Sequence, residues 1–263
     1  EDPGDSRAEA GHAEAECYAG AMQGGGCDQE AEAEGESTGG TQFTAMGTSQ
    51  LAGLTSGQFA ALSESQVQAM STAEVAALST AQVATMGSGA VSLMSSAQIK
   101  ALSSSQVASL TSTQLNALSA DQVGALDTAD VAALTTAQVS KLSTSNVAAL
   151  TSTQVKVLSS DQLQSLTTAQ INALDAADVT AMGTDQIAAL TTDQLAGLST
   201  SDINKLTDAQ FKALTTAQVS NLSTAQVQAI STSNMAVMET ADIRALNTAE
   251  IAALTLEVNK VDR

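Results

Sequence analysis

Two pairs of carboxylates, Asp127/Asp130 and Asp175/Asp178, stand three residues apart, a separation at which helical side chains share a face. Carboxylates so placed could do acid–base chemistry or hold calcium. Calcium would call for an Asp-rich twelve-residue loop ending in Glu, or a Gly-Gly-x-Gly-x-Asp repeat, and the sequence has neither. Each pair instead occupies two positions that recur along the chain as helix caps, and capping is the reading adopted for them. His12, Cys17 and Cys27 are potential metal ligands, but their spacing matches no zinc pattern. A single Cys17–Cys27 disulfide around a Gly-rich loop is the simpler expectation. His12 is the sole histidine, so a serine or cysteine nucleophile among the repeats would have no imidazole base. Gly24, Gly25 and Gly26 precede no helix carrying a Lys/Ser pair, which removes a phosphate loop. No catalytic, cofactor-binding or metal-binding residue is assigned, and the chain is expected not to be an enzyme and to need no cofactor.

Charge narrows the partners. Nine Lys and Arg face 28 Asp and Glu, a net charge of −19, and residues 1–40 hold eleven of the acids against Arg7 alone. Contact with a nucleic-acid backbone or an anionic membrane needs a basic footprint that is missing. Lys100, Lys141, Lys156, Lys205 and Lys212 are dispersed singly and read as solvated surface. No run of about 18 apolar residues occurs, so membrane insertion is not expected. The glycosylation pattern Asn221-Leu222-Ser223 is expected by chance in so Ser/Thr-rich a chain.

The elements that place these residues follow from one eight-residue phrase: Leu, Ser/Thr, Ser/Thr, any, Gln/Asp, Val/Ile/Leu, any, Ala. It runs from Met46 to Leu254, 208 residues or 26 octads, with no insertion or deletion. One apolar column is Phe43, Leu51, Phe59, Val67 and onward to Ile251; the other is Met46, Leu54, Leu62, Met70 and onward to Leu254. Their three-residue separation would split them across a strand and unites them on a helix. A continuous helix fails as well, because eight residues at about 100° each leave a drift of about 80° per octad. The chain must break once per octad.

The break is a capping box. A Ser, Thr, Asp or Asn follows the Leu, and Gln, Asp or Glu follows three residues later: Ser71/Glu74, Ser95/Gln98, Thr111/Gln114, Asp127/Asp130, Asp175/Asp178 and Asn247/Glu250. The fold class expected is all-α, a repeat solenoid or superhelix of very short helices, one per octad. No octad buries enough to stand alone, so stability must come from stacking. The small residue before each Leu (Ala61, Ala69, Ala77) permits close approach. A β-solenoid with sixteen-residue coils is the alternative; Ala and Gln favour helix, and Gly or Asn at fixed turn positions is missing. Residues 1–39, acidic and Gly/Ala-rich, are expected to be disordered. Residues 40–254 form the solenoid and 255–263 a C-terminal tail, with Val258 and Val261 available to cover the end. The absence of an initiating Met points to a processed chain or a piece of a longer one.

The phrase "LTTAQV" at Leu134–Val139 and again at Leu214–Val219 resembles the octapeptide-repeat regions of large bacterial secreted and surface proteins. That resemblance covers residues 40–254 and implies an extracellular or cell-surface role, structural or adhesive. The same opening is similar to the start of transcription-activator-like effector repeats, whose longer, basic repeats are absent here. Two functions are therefore carried forward. One is a rod or self-assembling filament or surface-layer subunit, associating head to tail through its ends. The other is a binding module in which the paired hydroxyls Ser79/Thr80, Thr135/Thr136, Thr167/Thr168, Thr191/Thr192 and Thr215/Thr216 face glycan, ice or mineral.

Overall fold

The computed structural model describes the backbone of residues 45–261 and the side chains of residues 45–254. The acidic segment 1–39, with His12 and the Cys17–Cys27 pair, lies outside the described residues. Among the described residues are 26 helices in tandem, from Thr48–Ala52 to Thr248–Val261, and no strand. The octads are thus helical, and the β-coil alternative is set aside.

Each helix before the last is a single turn of four to six residues. Isolated turns of this length are unstable in water. The chain turns the corner between them with two consecutive extended residues, such as Leu78 (φ −64°, ψ 143°) and Ser79 (φ −72°, ψ 155°). These angles are open to every L-residue, which is why the array needs neither Gly nor Asn at its corners. Inside an octad, Val83 N–H donates to Ser79 C=O at 3.1 Å and Met86 N–H to Val83 C=O at 3.2 Å. The pattern stops after Leu254. Val258 stands where the next Gln or Asp would be, no box forms, and the final helix runs fourteen residues to Val261.

The corners wind the string of helices into a superhelix. Helix Ser104–Ser109 packs on Thr128–Ala133, and Ser152–Lys156 on Ala176–Ala181, three helices further along in each case. Hydrogen bonds between coils join residues 25 to 31 apart. The coil therefore closes between three and four octads, at about 28 residues per turn. Both apolar columns point inward and merge into one core that runs the length of the described solenoid. Val-type members such as Val75, Val83, Val107 and Val131 are wholly buried, and Leu-type members nearly so. The periphery of each coil carries the capping hydroxyls, the scattered charges and the small residues. No helix among the described residues is long and apolar enough to cross a membrane.

Candidate functional site: the glutamine slot between coils

The fifth octad position decides how one coil is joined to the next. In helix Ser152–Lys156, Thr151 Oγ1 accepts from Gln154 N–H at 3.3 Å, and Gln154 Oε1 accepts from Thr151 N–H at 2.7 Å. This completes the box. The other end of the same amide does different work: Gln154 Nε2 donates to Val123 C=O and Leu126 C=O, each at 2.8 Å. Val123 C=O already accepts from Leu126 N–H, and a turn so short leaves over its second lone pair and the Leu126 carbonyl. One buried amide thus caps its own helix and clamps the coil beneath.

The clamp recurs in register. From Gln82 to Gln226, fourteen glutamines donate to the Leu-type carbonyl 28 residues before them, at 2.6–2.9 Å. All are buried, and a buried amide is tolerated because both its ends are paired.

Gln98 and Gln114, which the sequence reading gave to capping, have a second role. Gln98 does cap, its Oε1 accepting from Ser95 N–H at 2.7 Å, and Gln114 does the same for Thr111 at 2.7 Å. Both side chains are buried between coils. Gln98 Nε2 donates to Met70 C=O at 2.7 Å and to Gln68 C=O at 3.0 Å. Gln114 Nε2 donates to Met86 C=O at 2.8 Å and to Val83 C=O at 2.9 Å. The physical reason is the two-ended amide, which a box uses only at its oxygen. Sequence reasoning therefore found half the role of Gln98 and Gln114. The signal for the other half was the dominance of Gln over Glu, since either serves a box and only the amide brings a donor.

Acids at this position lose the clamp, and all but Asp242 keep the bond to the cap N–H. Asp130 Oδ2 accepts from Asp127 N–H at 3.1 Å, and Asp178 Oδ2 from Asp175 N–H at 3.2 Å. Both Asp130 and Asp178 are buried. Glu74, Asp202 and Glu250 accept in the same way from Ser71, Ser199 and Asn247. Carboxylates have no N–H for the carbonyls below. A hydroxyl from the earlier coil donates instead: Ser104 to Asp130 at 2.8 Å, Ser152 to Asp178 at 2.8 Å, Thr216 to Asp242 at 2.9 Å. Asp202 has Ala176 at that register. Burial raises the pKa of Asp178 above the ordinary carboxylate value. The Ser152 hydroxyl and the Asp175 backbone N–H pull it down, while the charge of Asp175 pushes it up further.

Asparagines make the opposite choice. Asn146 Nδ2 reaches Leu115 C=O at 2.9 Å and Asn234 Nδ2 reaches Leu206 C=O at 2.9 Å. Neither completes a box, and Asn234 Oδ1 is buried without a partner. A side chain one methylene shorter than Gln reaches the backbone N–H of the cap or the coil below, but not both; Asn146 Oδ1 meets the Ser143 hydroxyl instead. Beside Asn146 the shortfall leaves a small apolar gap lined by Leu118, Leu126, Leu134 and Leu150.

Ser71 and Glu74, Ser95 and Gln98, Thr111 and Gln114, Asp127 and Asp130, and Asp175 and Asp178 all sit at the N-termini of their own helices, not around any common centre. No group of three or more His, Cys, Asp or Glu able to hold a metal occurs among the described residues. The first hydroxyls of the ladder, Ser79, Thr135, Thr167, Thr191 and Thr215, accept from their box N–H groups. Of the second hydroxyls, Thr216 donates to Asp242, while Thr80, Thr136 and Thr168 are exposed. Lys100, read as free surface, lies 3.8 Å from Asp127 one coil on.

The model of the ALTTAQ repeat matches the chain at residues 41–72, 91–128, 123–160, 156–192, 188–224 and 203–238. No curated protein matches it.

Proposed function

The chain belongs to the ALTTAQ repeat family, and from this and the recurring coil joint we infer that it acts as a rod which associates head to tail into a filament or surface layer. As a structural repeat protein it has one joint used over and over, and the end of one array is built to meet the start of another. The observation that carries this reading is the contrast between the ends and the middle. At the N-terminal end Met46, Leu54 and Leu62 are only partly covered, whereas the interior Leu-type residues, Leu142 apart, are buried. At the other end Met235 is half-buried and Ile243 and Ile251 are 37% and 39% exposed, in a column that is at or near zero from Leu51 to Val227. Among the described residues neither end column is covered as the interior is, and the opposite end of a second copy would supply that cover.

The role is non-catalytic, and its setting is extracellular or at the cell surface, as the resemblance to bacterial surface repeats implies. A second copy is the partner; nucleic acid is not. Electron microscopy across a dilution series tests this: fibres lengthening with concentration are expected, and single short rods at every concentration would overturn it. Surface location is tested by protease treatment of intact cells, which should remove the protein. Adhesion is the second reading, favoured by the exposed hydroxyls of Thr80, Thr136 and Thr168. Retention on an immobilised polysaccharide, or thermal hysteresis, would move the assignment there.

A further inference from the structure

Two octads carry an Asp at both box positions, and their surroundings differ. In the Asp127/Asp130 box, Lys100 lies 3.8 Å from Asp127 and offsets the doubled charge. At the same register, 27 residues before Asp175, the chain has Ala148. The Asp175/Asp178 box therefore holds two carboxylates with no cation against either among the described residues. Its own helix, Ala176–Ala181, contributes no other charge than Asp178 itself. The helix below, Ser152–Lys156, offers the Ser152 hydroxyl to Asp178 Oδ1 and carries Lys156 at its exposed end. The helix above, Thr200–Lys205, carries Asp202 and Lys205. Helix Thr144–Ala148, four octads earlier, has no charged residue.

That earlier helix ends on Val147 and Leu150, whose carbonyls occupy the register a glutamine at position 178 would clamp. An ionised Asp178 presents only acceptors to them. Asparagine shows that a side chain of this length reaches: Asn146 and Asn234 donate to the equivalent carbonyls, Leu115 and Leu206, at 2.9 Å. A protonated aspartic acid has the length of Asn and, like it, one end that donates.

We propose that the Asp175/Asp178 box is a proton-operated joint: uptake of one proton by Asp178 exchanges its box bond for a single bond from the new O–H to the carbonyl of Val147 or of Leu150, locking the two coils together. The proton comes from solvent, an O–H bond forms on the carboxylate, and the box charge falls from two negatives to one. The raised pKa of Asp178 agrees in direction. The sign follows from linkage. A carboxyl whose folded pKa lies above its unfolded value binds protons preferentially in the fold, so the joint tightens as pH falls through the folded pKa toward the unfolded one.

The test is the whole chain and three variants, Asp178→Asn, Asp178→Gln and, as a surface charge control, Asp161→Asn, melted between neutral pH and about pH 4. Near neutrality Asp178→Asn and Asp178→Gln should melt higher than the parent by about 2 °C, with the gap closing on acidification. The control corrects for the general relief of negative charge. A gap that stays constant with pH would overturn the proposal. A second readout is the carboxyl carbon resonance of Asp178, which should titrate above the ordinary carboxylate range. Titration within or below that range overturns it whatever the melting shows.

Discussion

At the scale of single residues the molecule turns on the length and chemistry of one side chain per octad. Gln154 is buried with both ends paired, so Gln154→Glu keeps the box and sets a carboxylate against Val123 and Leu126 carbonyls. Loss of about 2–3 kcal/mol is expected, against about 1 kcal/mol for Thr151→Ala, which removes only the cap. Denaturant unfolding of the two variants side by side checks the order. Asn234→Gln runs the other way. The added methylene lets the orphaned amide oxygen reach Ser231 N–H while the nitrogen keeps Leu206, and a gain of about 1 kcal/mol is expected in the same assay. The capping role of Gln98, Gln114 and their counterparts was legible from their register in the chain. The clamp was not, because its acceptors lie 28 and 31 residues away and sequence spacing alone says nothing about which octads are stacked.

At the scale of the element, one helical turn is held at both ends and owes little to its own hydrogen bonds. What it needs from its neighbours is room. A Cβ on Gly197 would fall 2.1 Å from Thr168 Cγ2 one coil below. Gly197→Ala should therefore cost about 1–3 kcal/mol, and the double change with Thr168→Ser, which removes that methyl, should restore most of it. Gly124 lies inside helix Ala120–Ala125 with nothing within 4 Å of an added Cβ. Gly124→Ala should stabilise by about 0.5–1 kcal/mol, since the unfolded chain loses freedom it no longer has to surrender. Thermal melts of the three variants separate these outcomes. Helix existence and phase were readable from the three-and-five spacing of the apolar columns, and the caps marked each start. The extended Leu-Ser corner was not foreseen in its geometry, because residues other than Gly and Pro leave no trace when they adopt angles that every residue can adopt.

At the scale of the whole molecule, the solenoid is nearly invariant to translation by one octad. Removing Leu158–Ser165 leaves each later Gln facing a Leu-type carbonyl 28 residues back, because the columns close up in phase. Helical circular dichroism should persist and the melting midpoint should stay within about 5 °C of the parent. Removing only Leu158–Asp161 puts the caps and apolar residues of the next coil, out to about residue 189, out of phase with the coil below, while Gln194 keeps Leu166 and later pairs keep register; the melt should fall well below the parent or split into two transitions. Equal behaviour of the two deletions would contradict the coil register described here. The same invariance is why the proposed end-to-end association would require no dedicated interface.

The sequence by itself determined the octad, its two apolar columns, the caps and hence an all-helical solenoid, because these depend on local spacing and on residue types whose preferences act within one turn. Only the tertiary structure decided the number of octads per coil, and with it the partner of every slot side chain. That number emerges from small corner rotations summed over three to four octads, and no single octad encodes the sum. It is the sum that brings Gln98 to Met70, Gln154 to Leu126, Lys100 to Asp127, and Asp178 to carbonyls it can donate to only when protonated.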